Sequence, residues 1–125
     1  APIGGDATAR GSGGDSGGHV PRASGYVCDV TDEDAVSACF DVICKEHGRI
    51  DALVCNAGIS AVGQVAEAKA ADMDKCYAVN VKGVFHCLKH GVRLMLADGK
   101  GGAIVNLASI ASLIGLADRF IYSMT

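Results

Sequence analysis

The side chains with chemical capacity in this 125-residue sequence gather after three short apolar runs. Asp29 and Val30 end "GYVCDV", Asn56, Ala57 and Gly58 follow "DALVC", and Ser109 and Ser112 follow "AIVNLA". Tyr122 stands thirteen residues beyond Ser109, and Asn80 is a polar residue within a long apolar-periodic stretch. Taken singly, each has an ordinary structural reading. Asp29 opens a turn, Asn56 and Gly58 form one, Ser109 sits in a small-residue loop, a tyrosine packs, and an asparagine caps or kinks a helix. Taken together they fall beyond the carboxyl ends of strands, where open parallel sheets bind ligands. The implied chemistry is that of a small-molecule site. His86 and His90 are four apart, a possible metal pair. No third ligand stands at motif spacing, so the pair reads as a solvated helix face and no metal is assigned.

Those residues meet only if the intervening chain folds as alternating strands and helices. "GYVCDV" is a β-type run; in "TDED", Thr31 is the expected N-cap, with Asp34 in capping-box spacing. Val36, Cys39, Phe40, Ile43 and Cys44 repeat at helical spacing, and Gly48 ends that helix. "RIDALVC" is a second strand and "NAGIS" the turn after it. A long helix is expected from about Ala71 to Ala97, with Met73, Cys76, Tyr77, Val84 and Leu88 on one face, stopped by "DGKGG". "AIVNLAS" is a third strand, and a further helix starts near Phe120. Strand and helix alternation predicts an α/β fold with parallel pairing. Leu53–Val54 and Ile104–Val105 are apolar on both faces, as in a sheet covered by helices on both sides. Residues 1–24, rich in Gly, Ser, Ala and Asp, have no apolar periodicity and read as a disordered arm; residues 25–125 form the domain.

Composition narrows the function classes. Half the residues are apolar and the net charge is −3. There is no block of Lys or Arg, which argues against nucleic acid as a partner. No apolar run reaches the length of a membrane span, and the first residues lack a signal pattern. The six cysteines form no C-x-x-C pair and mostly sit in apolar runs. They read as free, buried thiols of a cytoplasmic protein.

The set "CDVTD", "LVCNAGIS", "YAVNVKG" and "GGAIVNLASIASLIG" followed by "YSMT" resembles the short-chain dehydrogenase/reductase family over about residues 25–125. The resemblance implies a partial Rossmann-like, doubly wound parallel sheet supplying the family's strands 3, 4 and 5. It implies an NAD(P)-dependent oxidoreductase, moving a hydride between a nicotinamide and a small-molecule alcohol or carbonyl. By position, Asp29 and Val30 resemble the pair that contacts the adenine ring. Asn56, Ala57 and Gly58 resemble the turn that steadies the sheet beside the cofactor, NAD or NADP. Asn80 resembles the helix asparagine that holds a water of the proton relay, Ser109 the serine that hydrogen-bonds the substrate oxygen, and Tyr122 the general acid/base. A phenol ordinarily titrates at about 10, and a nearby cation favours its anion. In the family that cation is a lysine four residues after the tyrosine, which here falls directly after Thr125.

Two departures follow from the same resemblance. The family opens with a strand, a T-G-x-x-x-G-x-G turn, a helix and another strand. "SGGDSGGH" imitates the turn through Gly13 and Gly17, but His19 replaces the third glycine and no flanking strand or helix appears, so it reads as a decoy. With the turn and the lysine absent, the sequence reads as an internal fragment, inactive by itself, of a homo-oligomeric parent enzyme. The alternative is a non-catalytic form acting through the family's helical subunit interface.

Overall fold

Two parallel strands anchor the chain. In the computed structural model, which describes residues 23–125, β1 (Ala52–Cys55) pairs with β2 (Ala103–Asn106) in register from Ala52 opposite Ala103 to Cys55 opposite Asn106. Ahead of β1 runs α1 (Glu33–His47). Between the strands lie α2 (Ala70–Tyr77), a π-helical turn (Ala78–Gly83) and α3 (Val84–Leu96), which continue one another. After β2 come a 3₁₀ turn (Ile110–Ser112) and α4 (Phe120–Ser123). The crossover between parallel strands is therefore helical, the α/β arrangement expected from the alternation.

Four expectations need correction. The stretch 25–30 forms no strand: it is unpaired, and Val27 is 92% exposed. A strand requires partners for its N–H and C=O groups, and among the described residues the sheet has only β1 and β2. Asp32, not Thr31, caps α1; its carboxylate accepts from Ala35 N at 3.0 Å. Thr31 instead turns back, its hydroxyl and backbone N–H both donating to Asp29 Oδ1 at 2.8 and 2.9 Å. The helix expected over Ala71–Ala97 is one continuous run but is broken in hydrogen-bond register by the π turn at its centre. The sheet is not covered on both sides by the described residues: Val54 and Val105, paired and on one face, are 57% and 53% exposed.

On the other face the core closes. Val36, Cys39 and Phe40 of α1, Cys55 of β1 and Met95 of α3 are buried there. α3 reaches this layer because Gly91 has no side chain: a Cβ at that position would stand 2.7 Å from Leu53 Cδ2 and 3.2 Å from Phe40 Cε1. Gly48 ends α1 with φ 85°, a left-handed conformation that glycine adopts freely. All six cysteines are free, three of them buried. Burial is the first cause raising the thiols of Cys28, Cys55, Cys76 and Cys87, with Cys28 pushed up to about 11. Thiols raised in this way are poor nucleophiles.

Candidate active site

Parallel strands deliver their carboxyl ends to one edge of the sheet. Beyond that edge the ladder continues for one bond, Leu107 N to Cys55 O at 3.1 Å, and the two chains then separate. The gap between them is a cleft of about 350 Å³. Asn56, Ala57, Gly58, Asn80, Ser109 and Tyr122 all line it. Six of the eight residues given a role by the family resemblance thus surround one space, although they come from four separate segments. Asp29 and Val30 do not line it. They occupy the turn before α1, next to the π turn, where a Cβ on Gly83 would meet Val30 Cγ2 at 2.7 Å.

Each polar group in the cleft has a defined bonding state. Asn80 projects from the π turn, an irregularity often found at functional sites. Its Oδ1 accepts from Ile59 N at 2.8 Å, and its Nδ2 donates to Ile59 O at 2.9 Å and to Thr125 Oγ1 at 2.8 Å. The amide therefore clamps the segment that follows the Asn56–Gly58 turn. Ser109 caps the 3₁₀ turn: its Oγ accepts from Ala111 N at 3.2 Å, which leaves the hydroxyl hydrogen available to the cleft. Its carbonyl is held by the Ser112 hydroxyl at 2.6 Å. Tyr122 is half-buried on α4, and Ile121 beside it is buried and anchors that helix.

The turn at Asp29–Val30, outside the cleft, is polar and charged. Both bonds from Thr31 go to Asp29 Oδ1, and the backbone bond, then the hydroxyl bond, hold this carboxyl below the ordinary range. The Val30 carbonyl accepts from His86 Nδ1 at 2.9 Å, so that nitrogen carries the proton. Here the sequence expectation fails. His86 and His90 are 3% and 8% exposed, not solvated. The face of α3 that carries them is covered by α1 and by the turn at Val30. Their Nε2 atoms lie 3.9 and 3.7 Å from opposite oxygens of the Glu33 carboxylate, which Lys89 also bonds. The Lys89 hydrogen bond is the main cause holding Glu33 low, with both histidines adding to it and desolvation opposing. Two residues escaped the sequence reading altogether, Thr125 and Ile59. Thr125 carried a usable signal, being a hydroxyl one helical turn after Tyr122; Ile59 acts through its backbone and carried none.

Comparison with known proteins agrees with this arrangement. The family model described as short chain dehydrogenase matches residues 15–125, starting ahead of the boundary expected at Gly25. D-threitol dehydrogenase of Mycolicibacterium smegmatis is 39% identical over 120 residues, 95% of this chain and 44% of that protein. The solved structure of xylitol dehydrogenase with NAD+ bound superposes with a TM-score of 0.75 at 38% identity, covering 79% of this chain and 38% of that one. ElxO with NADP bound gives 0.72 at 39% identity, covering 77% and 39%. The chain thus spans less than half the length of these relatives. With the Asn56–Gly58 turn, Asn80, Ser109 and Tyr122 around one cleft at the strand ends, the chain belongs to the short chain dehydrogenase family.

Proposed function

We propose that the protein carrying this sequence is an NAD(P)-dependent oxidoreductase acting on a hydroxyl or carbonyl of a small molecule. The observation that supports it most is the convergence of Ser109, Tyr122 and Asn80 on a cleft beyond the carboxyl ends of β1 and β2. Relatives named for threitol and xylitol suggest an alcohol of polyol type as substrate.

The residues present suit a nicotinamide cofactor. The cleft wall at Asn56–Gly58 consists largely of backbone and small side chains, and its opposite wall carries a phenol and a hydroxyl. Asn56, Ala57 and Gly58 would hold the nicotinamide half, and Asp29 with Val30 the adenine half. When bound, the nicotinamide supplies the hydride acceptor or donor. The chain's own groups do the rest. Tyr122 moves the proton at the substrate oxygen as its bonding changes. Ser109 donates its free hydroxyl hydrogen to the same oxygen and stabilises charge that develops there. Asn80 holds the Ile59 segment and keeps the cleft wall in place.

The protein also reads as a cytoplasmic homo-oligomer. Tyr77, Phe85 and Phe120, on α2, α3 and α4, are large apolar side chains left exposed. Side chains of this type are enriched at protein–protein interfaces. No helix among the described residues is long and apolar enough to cross a membrane.

The test uses protein expressed from its full reading frame. Tyr122→Phe is expected to lower turnover by about 100- to 10,000-fold, with dinucleotide affinity nearly unchanged, because the ring keeps its packing and loses only the hydroxyl that carries the proton. Ser109→Ala lowers turnover as well. Full turnover in Tyr122→Phe overturns the assignment.

A further inference from the structure

His86 is buried, 3% exposed, and takes no part in the cleft. It stands three residues after Gly83, and residues three apart share a helical face. Both meet Val30. Gly83 leaves the room that the Val30 side chain occupies, since a Cβ there would stand 2.7 Å from Val30 Cγ2. His86 takes the backbone of the same residue, donating from Nδ1 to the Val30 carbonyl at 2.9 Å. The imidazole is held from its other sides as well. Nε2 faces Glu33 Oε2 at 3.9 Å, and the Phe85 ring meets it edge-on with centroids 5.8 Å apart.

The carbonyl that His86 holds belongs to a peptide unit fixed at both ends. The Val30–Thr31 peptide is planar, so its C=O and N–H turn together. The C=O is bonded to His86, and the Thr31 N–H donates to Asp29 Oδ1 at 2.9 Å. The Thr31 hydroxyl adds a second bond to the same oxygen, at 2.8 Å. A tilt of this peptide would therefore swing the donor on which the Asp29 carboxylate rests. Asp29 is exposed, and with both Thr31 bonds on Oδ1 its Oδ2 keeps the capacity to accept from a ligand. One line of contacts thus runs from α3 through His86 and a single peptide plane to a carboxylate at the surface.

We propose that His86 is a positioning residue for dinucleotide binding: its hydrogen bond to the Val30 carbonyl fixes the peptide that orients Asp29. The proposal rests on the reading of Asp29 and Val30 as the holders of the adenine half. It divides the work between two places in the chain. Tyr122 and Ser109 act on turnover, whereas His86 acts on cofactor affinity. Losing the bond removes binding that ground state and transition state share, so the effect falls on KM for the dinucleotide rather than on kcat.

The experiment uses protein expressed from its full reading frame. It measures affinity for NADH or NADPH, whichever binds, by fluorescence titration, affinity for the matching ADP-ribose by calorimetry, and kcat and KM. His86→Leu is expected to weaken both affinities by about 3- to 10-fold, the contribution of one hydrogen bond, and to raise KM for the dinucleotide by the same factor. In His86→Asn the side-chain nitrogen is bonded to Cγ, as Nδ1 is, so the donor keeps its place and most of the affinity returns. His86→Gln carries its donor one carbon further out and is expected to bind as weakly as His86→Leu. A role in packing alone would favour the larger glutamine. Should His86→Leu fail to fold, His86→Asn against His86→Gln decides the question. Unchanged affinity in His86→Leu, equal affinities in the Asn and Gln variants, or a loss confined to kcat overturns the proposal. Asp29→Asn, measured alongside, separates the two claims. If it leaves ADP-ribose affinity unchanged, the adenine reading and the proposal fall together; if it weakens ADP-ribose binding while His86→Leu does not, only the positioning role falls.

Discussion

Gly83→Ala isolates a steric contact between the π turn and the turn at Asp29–Val30. Gly83 has ordinary helical angles, φ −59° and ψ −43°, so alanine meets no backbone strain there. In an open helix the change would stabilise by about 1 kcal/mol, the difference in helix propensity. Here the new Cβ would stand 2.7 Å from Val30 Cγ2, 3.1 Å from Val30 Cβ and 3.4 Å from Val30 O. Valine is stiff at χ1, and its carbonyl is already bonded to His86. The turn at Asp29–Val30 must therefore move as a whole. Overpacking of this kind costs about 1–3 kcal/mol, which leaves a net destabilisation of about 0–2 kcal/mol after the propensity gain. Denaturant unfolding of protein from the full reading frame measures it, and dinucleotide titration of the same variant should show weakened binding. Val30→Ala removes both γ-methyls and should recover part of the loss when combined with Gly83→Ala, a favourable coupling in a double-mutant cycle. A Gly83→Ala protein stabilised by the full propensity increment, with unchanged dinucleotide affinity, would refute the close approach of the π turn to Val30.

Two further outcomes follow from the start of α1. The Glu33 carboxyl is held low by Lys89 and the two histidines, so its stabilising charge is present above the ordinary carboxylate range and lost as pH falls through its depressed value. The stability difference between wild type and Glu33→Gln should accordingly be present at neutral pH, begin to shrink as pH falls below the ordinary glutamate value of about 4.3, and vanish only below the depressed value of the folded protein; a difference that never shrinks in acid would deny the charge any role. Asp32→Ala removes the cap on Ala35 N and should cost about 1 kcal/mol in denaturant unfolding, whereas an equal cost in Thr31→Ala alone would favour Thr31 as the cap.

What the sequence disclosed depended on how local each cause is. β1, β2 and the end of α1 at Gly48 were legible because hydrophobic runs and a glycine stop act over a few residues. The strand at 25–30 was not, because a strand exists only through its neighbours, and no neighbour pairs with "GYVCDV" among the described residues. The same distinction explains His86 and His90. Their spacing says only that they share a face of a helix; whether that face meets water depends on Glu33 at the start of α1, which reaches it from more than fifty residues earlier. The grouping of Asn56, Asn80, Ser109 and Tyr122 was readable from motif spacing. The bonds that orient them were not, since Asn80 is fixed by the backbone of Ile59, whose side chain carries no hint of that role.

The π turn explains how one helix serves both the cleft and the turn at Asp29–Val30. A π turn takes one more residue per hydrogen-bonded ring than an α-helix, so residues within it point in directions that a regular helix would not give them. Asn80 turns toward Ile59 and Thr125, at the end holding Ser109 and Tyr122. Gly83, three residues on, turns against Val30, at the end holding Asp29. In a regular α-helix residues three apart share a face, and both positions would press on the same neighbour. The irregularity lets a single rigid helix brace the turn at Asp29–Val30 and the tyrosine helix at once. A change that regularises this turn should therefore disturb the cleft and the turn at Asp29–Val30 together, whereas Gly83→Ala disturbs only the latter.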